Sequence, residues 1–482
     1  MTQRPAFHAV TVGWSLVLLD VLGKPLAARS RQRWSHIVHP RHSAAEFRRE
    51  DAARHHFYFF RDDPREPLPS ADHDLLASLE REGIPTVHNM IFGDRVVSAL
   101  PYYEALGYAN FLARRLTHLF DELRPSVVIA GFDALHSGIS LAVARRLGIP
   151  WFAMNFSVIP PGLACFCRGM SPGTRVQIGE VDSPGELAAL AQTSLENFET
   201  GRLRAPAYIE PPTPSLSEAM ARMPAKFSAV LRTIRNARRR QWLRFTDSPG
   251  RHSVAEAVSR MRRAAAARKA ATAVHALTTP PATPYVLFGL HRQPEASIDV
   301  WAPFFSNQMW IIELLARSLP PTHRLLVKIH KSDVSNYSSE QYRRMRALPG
   351  VELVAPLADG RTFIDRADLV FAIQGTMGLE AALLGKPVIL LGDSPVAVFP
   401  SASLMTEIQA LPALIRSKLS EPRPAREQIL KAYASYLAPF APAAHNNWNR
   451  ELTDQEIERF VRLFDRLEVH LSSTPARAEA SA

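Results

Sequence analysis

Only two of the 482 residues are cysteine, Cys165 and Cys167, one residue apart. Neighbours at that spacing rarely bridge, and two thiols without His or acidic partners do not complete a zinc site. A disulfide-stapled scaffold is therefore excluded, and both thiols read as reduced, in a cytosolic setting. No apolar run reaches the length of a membrane span. Val10 to Leu22 is apolar, but Asp20 interrupts it and no convincing Lys/Arg cluster precedes it, so no signal peptide is expected. Internal repeats of fixed period, RNA- or DNA-binding motifs and dense carboxylate clusters that would hold a metal are also missing.

What is present describes an ordinary globular chain, with 46% hydrophobic and 21% charged residues and enough length for two domains joined by helices. The charge is unevenly placed. Between Ser217 and Ala270 fourteen Lys and Arg face three acidic residues, which accounts for the whole net charge of +11 and leaves the rest neutral. Arg235, Arg238, Arg239 and Arg240 with Trp242, Leu243 and Phe245 fit an amphipathic helix on a membrane surface, or a solvated helical face covering the cleft or packing on the first domain. A patch so local, without a recognition motif, argues against a nucleic-acid partner.

Strands and helices alternate in both halves. Val10 to Leu19, His56 to Arg61, Ser126 to Gly131 and Phe152 to Phe156 read as strands, with helices over Asp72 to Glu82 and Tyr102 to Leu123. This predicts a first α/β domain over 1–160. A proline-rich crossing and the basic helices fill 161–280, and a proline cluster precedes a second α/β domain over 281–440. A helix within 441–472 is expected to return to the first domain, and 473–482 to be a disordered tail.

The densest signal is Asp368 to Asp393, DLVFAIQGTMGLEAALLGKPVILLGD: buried strand, glycine turn, short helix, glycine stop, second buried strand. Gln374, Gly375, Thr376 and Gly378 lie where the strand hands over to the helix. Gly375 and Gly378 allow close backbone approach, the helix start favours an anion, and Glu380 sits one turn inside. Upstream, Tyr285 to Leu290 ends in His291 with Glu295 four positions on, and Arg324 to His330 places Lys328 and His330 at a strand's carboxyl end. In a doubly wound parallel sheet ligands bind at that edge. Lys386 reads as a surface charge at a helix end.

The order LHRQPEAS, a phenylalanine-rich stretch ending in Gln308, LPPTHRLLVKIHK, then QGTMGLEAALLGKPVILLGD resembles the carboxyl half of the capsule polysaccharide and surface-carbohydrate glycosyltransferases, a group that includes retaining Kdo transferases. The resemblance is strong over 284–395, weaker over Leu79 to Pro161 and absent between. It implies an α/β chain of two Rossmann-like domains facing across a cleft, the GT-B fold, with an inserted basic helical segment. It also implies that His330, with Lys328 beside it, meets the donor phosphate, that Gly375 and Thr376 contact phosphate, and that Glu380 holds the ribose hydroxyls. The family's proline after the histidine is Lys331 here.

In the first domain, Asp133 and His136 follow the strand ending at Gly131. Asp133 suits a general base, a charge partner for His136, or a helix-start residue. Asp94, in Phe92-Gly93-Asp94-Arg95, is the second catalytic candidate, or one half of a loop ion pair. The expected activity is metal-independent transfer from a nucleotide sugar, CMP-linked slightly ahead of UDP-linked, to a polysaccharide or lipopolysaccharide acceptor at the inner face of the cytoplasmic membrane, with other polysaccharide assembly proteins as possible partners. A sugar-nucleotide epimerase, a polyol-phosphate transferase and a non-catalytic assembly protein are the alternatives.

Overall fold

The structure is a computed structural model and describes residues 7–14, 18–38, 55–59, 68–81, 83–95, 97–132, 135–178, 184–204, 276–331, 337–444 and 450–473. The chain divides into two compact units. Among the described residues, one holds those up to 178 and those from 439 onward; the other holds 184–204 and 276–438. The basic segment from Ser217 to Ala270 and Asp133 both lie outside the described residues.

The first unit is built on β1 (His8–Val12), β2 (Arg33–Val38), β3 (His55–Phe59), β4 (Val127–Ala130), β5 (Trp151–Phe156), β6 (Leu163–Cys167) and β7 (Arg175–Val176). Strands β3, β2, β1, β4 and β5 pair in parallel in that spatial order, and the central β1 and β4 are buried at every position. The expected domain end at 160 falls inside this sheet, because the chain turns back and β6 pairs antiparallel with β5. The strand expected over Val10 to Leu19 stops at Val12. Gly13, at φ 70°, turns the chain, and Leu19–Gly23 is a π-helical turn.

Helices α1 (Lys24–Arg29), α2 (His73–Leu79), α3 (Val87–Gly93), α4 (Tyr102–Leu123) and α5 (Leu135–Leu147) complete the layers. Helix α3 packs on the first turns of α5, where a Cβ on Gly138 would lie 2.8 Å from Met90 Sδ. His8 is a buried strut: its ring nitrogens bond Leu123 O at 2.9 Å and Ser35 Oγ at 2.8 Å.

The second unit contains α6 (Pro184–Glu199), β8 (Tyr285–Gly289), α7 (Gln308–Ser318), β9 (Arg324–Lys328), α8 (Ser339–Ala347), β10 (Val351–Val354), α9 (Gly360–Arg366), β11 (Leu369–Ala372), α10 (Thr376–Leu383), β12 (Val388–Leu390), β13 (Ala402–Leu404), α11 (Leu411–Ser420) and α12 (Arg426–Leu437). All six strands are parallel, in the order β10-β9-β8-β11-β12-β13. This is the doubly wound arrangement, with winding that reverses between β8 and β11. Both α/β domains are therefore present. Helix α6, which falls in the expected crossing segment, is part of this unit: it packs on α12, where Arg426 Nη2 meets Glu199 Oε2 at 2.9 Å.

Lys386 corrects its reading as a surface charge. It is buried and donates to Asp365 O at 2.5 Å and Ala367 O at 3.0 Å, closing the carboxyl end of α9.

The short strand β14 (Ala441–Pro442) pairs with β6 in the first unit, and α13 (Asp454–Ser473) packs there on α1. Phe464 inserts edge-on between Trp34 (ring centroids 4.9 Å) and Phe166 (5.4 Å), while Gln32 Nε2 donates to Asp465 and Glu468 at 2.8 Å. Removing so large a buried ring costs about 3–5 kcal/mol. Phe464→Ala is expected to lower the unfolding free energy of the first unit, read from urea denaturation, by that amount, and an unchanged midpoint would show that the Phe464 ring contributes nothing to it.

Candidate functional site

In the second unit the reversal point brings two strand ends together. Gly289 closes β8, and a Cβ there would lie 2.7 Å from Met377 Cε, so the missing side chain lets the first turn of α10 approach the strand. After β11, Gly375 stands at φ 91° as the residue before α10. A Cβ on it would reach 3.0 Å from His291 Cε1, and the Gln374 amide N–H donates to His291 Nε2 at 3.5 Å. The loop after β8 thus covers the helix start with an imidazole that acts as an acceptor.

His291 is held there by Gln308, which reads both sides of its peptide: His291 N donates to Gln308 Oε1 at 2.7 Å, and Gln308 Nε2 donates to His291 O at 3.1 Å. Gln308 also reaches Gln293 Oε1 at 3.0 Å. Glu295 stands at the N-cap of a short helix, its N–H donating to Asp299 Oδ2 at 2.9 Å and its carboxylate accepting from Ser297 Oγ at 3.1 Å.

Two further residues of the expected turn do structural work. The Gln374 side chain is buried and donates to Asp393 O, joining the ends of β11 and β12. Gly378 is buried against the sheet, where a Cβ would lie 2.9 Å from Ala372 Cβ, so it serves close helix packing rather than ligand approach. Gly375 is exposed and Thr376 is half-buried, and these two remain at the mouth.

Lys328 is also redirected. It is buried and donates to Ile329 O at 3.0 Å and Pro356 O at 2.7 Å, fixing the loops after β9 and β10. Burial, and then the charge of Lys331, lower its ammonium to about 8. His330 is half-buried beside it. Burial, followed by Lys328, Arg292 and Lys331, holds this imidazole down at about 4. His291 is likewise pushed to about 4, by burial and then by His330. This edge is therefore two neutral imidazoles among three cations, a field that favours an anion.

Glu380 lies apart, toward α9 and the end of α6. Burial raises its carboxyl to about 7, partly offset by Arg361 and Arg204 and reinforced by Asp359 and Asp365. Arg361 is itself clamped, 4.4 Å over the Phe198 ring and bonded to Asp365 at 3.0 Å. Leu357, 85% exposed on the loop that Lys328 holds at Pro356, adds an apolar face at the same edge.

In the first unit the corresponding reversal lies between β1 and β4. Gly13 ends β1, and a Cβ on it would fall 1.9 Å from His136 Nε2, so the buried imidazole packs directly on the glycine backbone. Burial pushes His136 to about 4, and the nearby Asp94 charge partly offsets this. Asp94 is buried, accepting Val97 N–H at 2.9 Å and Leu135 N–H at 2.8 Å, and so fixes the start of α5.

Sequence reading missed Gly13, Gln308, Arg361 and Leu357. For Gly13 a signal existed, a glycine directly after an apolar strand. For Gln308, and for the stacking of Arg361 on Phe198, the partners lie too far along the chain to be read.

Residues 235–441 match the model of the family described as capsule polysaccharide biosynthesis protein. No curated protein matches the chain. Among solved structures, the chain is similar to a Thermosulfurimonas dismutans KpsC beta Kdo 2,4 transferase, with 13% identity, 64% of this chain and 79% of that one covered, and TM-score 0.32. A UDP-GlcNAc 2-epimerase from Neisseria meningitidis bound to UDP-GlcNAc is 11% identical, with 96% and 100% covered and TM-score 0.31. Anabaena HepE in complex with UDP and glucose is 12% identical, with 97% and 100% covered and TM-score 0.29.

The histidines have a pH consequence. Each has a folded pKa of about 4 against 6.5 when unperturbed, so between those values the unfolded chain binds more protons and stability falls as pH falls. Glu380, raised from 4.5 to about 7, pulls the opposite way between pH 4.5 and 7. Three groups outweigh one, so the urea midpoint is expected to drop on acidification from pH 6.5 to 4.5. His330→Gln should flatten that drop and Glu380→Gln steepen it; equal slopes in both variants and the parent would show that neither group is perturbed.

Proposed function

Because residues 235–441 match the model of the family described as capsule polysaccharide biosynthesis protein, we propose that this chain is a glycosyltransferase that moves a sugar from a nucleotide donor to a surface polysaccharide or lipopolysaccharide acceptor. One observation carries the reading: at the reversal point of the second sheet, His291 and the Gly375 turn meet beside His330, Arg292 and Lys331. A phosphate placed there finds the N–H groups of the α10 start, the Thr376 hydroxyl and a surplus of cations. Its negative charge also lets His330 take up a proton, turning a neutral ring into a charged donor as the ligand arrives.

The roles follow from position. His330 and His291 bind the donor phosphate, while Lys328 and Gln308 hold the loops that present them. Leu357 offers an apolar surface to the nucleobase, and Glu380, when ionised, accepts from the ribose hydroxyls. Loss of the glycosidic bond leaves negative charge on the departing nucleotide, and stabilising that charge is where the cation cluster lowers the barrier. A CMP-linked donor is favoured slightly over a UDP-linked one, since His330 and the Gly375–Thr376 turn suffice for a single phosphate. The chemistry needs no divalent ion where side chains meet that charge.

Activation of the acceptor hydroxyl falls to the first unit. Asp133 is the candidate base by its place in the sequence, and the buried His136 and Asp94 lie at the start of α5. The basic segment from Ser217 to Ala270 would hold the chain against the anionic inner face of the membrane, where each Lys or Arg contributes about 1 kcal/mol. No described helix is long and apolar enough to cross a membrane.

His330→Ala and Glu380→Ala are each expected to weaken nucleotide binding about ten- to hundredfold in folded protein, since a hydrogen bond to a charged group contributes about 1.5–3 kcal/mol. Calorimetry with CMP and UDP checks this, and unchanged affinity in both variants would remove the site. Asp133→Asn should cut turnover by about 10² to 10⁴ with donor affinity retained. Turnover within a factor of about two of the parent would make Asp133 structural, with Asp94 next to test.

A further inference from the structure

The edge of the first unit that carries His136 also carries aromatic rings in water. Phe92 is 77% exposed, Tyr103 76% and Tyr102 51%. They stand on two helices in contact, α3 and α4. His88 and Phe92 are four residues apart on α3 and so share a face, while Tyr102 and Tyr103 open α4. The His88 ring stacks on Tyr102 at 5.8 Å and 11°, with His88 Nε2 and Tyr102 OH 3.1 Å apart, and Tyr103 stands edge-on to Tyr102 at 5.3 Å. The shelf is continuous with the candidate acceptor edge, because α3 lies on α5 through Met90 and Gly138 and runs from Phe92 through Gly93 into Asp94, whose carboxylate holds the α5 start.

We propose that this shelf binds the acceptor glycan, with neutral sugar rings stacked on Phe92, Tyr102 and Tyr103; the inference rests on the glycosyltransferase reading above. The C–H face of a pyranose carries slight positive charge and complements the negative face of an aromatic ring. The Tyr102 and Tyr103 hydroxyls and the His88 imidazole supply hydrogen bonds at the rim for sugar hydroxyls. Charge selects the same class. Arg95 and Glu104 beside the rings have opposite signs, so the shelf matches an uncharged polyol, whereas a phosphate site or an anionic bilayer calls for the cation surplus seen in the second unit. Large aromatic rings gathered on one exposed edge are the kind of feature that marks a binding surface.

The full chain is probed on an array of neutral and acidic bacterial surface oligosaccharides, and the strongest binder is titrated against Phe92→Ala and Tyr103→Ala. Both substitutions are at exposed positions, and circular dichroism confirms folding. The dissociation constant is expected to rise about five- to tenfold in each variant. Oligosaccharide affinity unchanged in both, or no binding to any member of the array, overturns the proposal. So does pelleting with phosphatidylcholine vesicles that depends on Phe92 and Tyr103 when no oligosaccharide binds, which would assign the shelf to a membrane. The donor site is tested apart: calorimetry with CMP and UDP on the same variants should match the parent. A parent that binds oligosaccharide through the shelf but neither nucleotide would keep the shelf and sink the donor assignment.

Discussion

Between β8 and β11 the chain stops adding strands on one side of the sheet and begins adding them on the other, so the connections after these two neighbours diverge to opposite faces. Their carboxyl ends are left uncovered side by side. Everything at the candidate donor site depends on that gap: His291 arrives from one strand end, Gly375 from the other, and the two meet with no room for a Cβ. The first unit repeats the constraint between β1 and β4, where His136 packs against Gly13. In each sheet an imidazole lies on a glycine with positive φ. The backbone conformation and the close approach both require glycine there.

The charges at the second edge divide into two kinds. Lys328 and Lys386 are buried, and each spends its ammonium on two backbone carbonyls, so they are struts that satisfy acceptors at the ends of elements. Arg292 and Lys331 act instead through their field, together with burial holding His330 neutral. Burial first, and for His330 the neighbouring cations next, keep the His291 and His330 imidazoles neutral, and such an edge favours an anion. Lys331, where the resembling family has proline, adds to that field.

The edges of the two units suit different chemistry. In the second unit neutral imidazoles stand among cations. The first unit combines a buried His136 beside Asp94 with an open run of aromatic rings whose neighbouring charges cancel. The contrast is one of polarity and solvation, since charge meets phosphate through hydrogen bonds and field, whereas planar rings meet sugar faces through dispersion and C–H contacts. A transferase must hold both kinds of ligand.

Much of the architecture was legible along the chain. Continuous apolar runs marked the parallel strands, the glycine turn at Gly375 marked where β11 hands over to α10, and motif order placed His291 and His330 at one edge. These are local signals, and periodicity and turn chemistry determine them. What tertiary structure decided was which polar groups face the opening. Gln374, Gly378 and Lys328 looked like ligand contacts because they sit beside the turn or the strand end; packing directs them to Asp393 O, to Ala372 and to the carbonyls of Ile329 and Pro356. Lys386 looked exposed because it follows a helix, yet burial aims it at α9. Gln308 gained its role from a strand-end loop seventeen residues away, and Asp94 from a helix start forty-one residues on. Sequence spacing determines which residues reach an edge. Which of them remain there for a ligand depends on the unsatisfied carbonyls and amides that the fold brings close, because burying such a group unpaired costs more than leaving a side chain free.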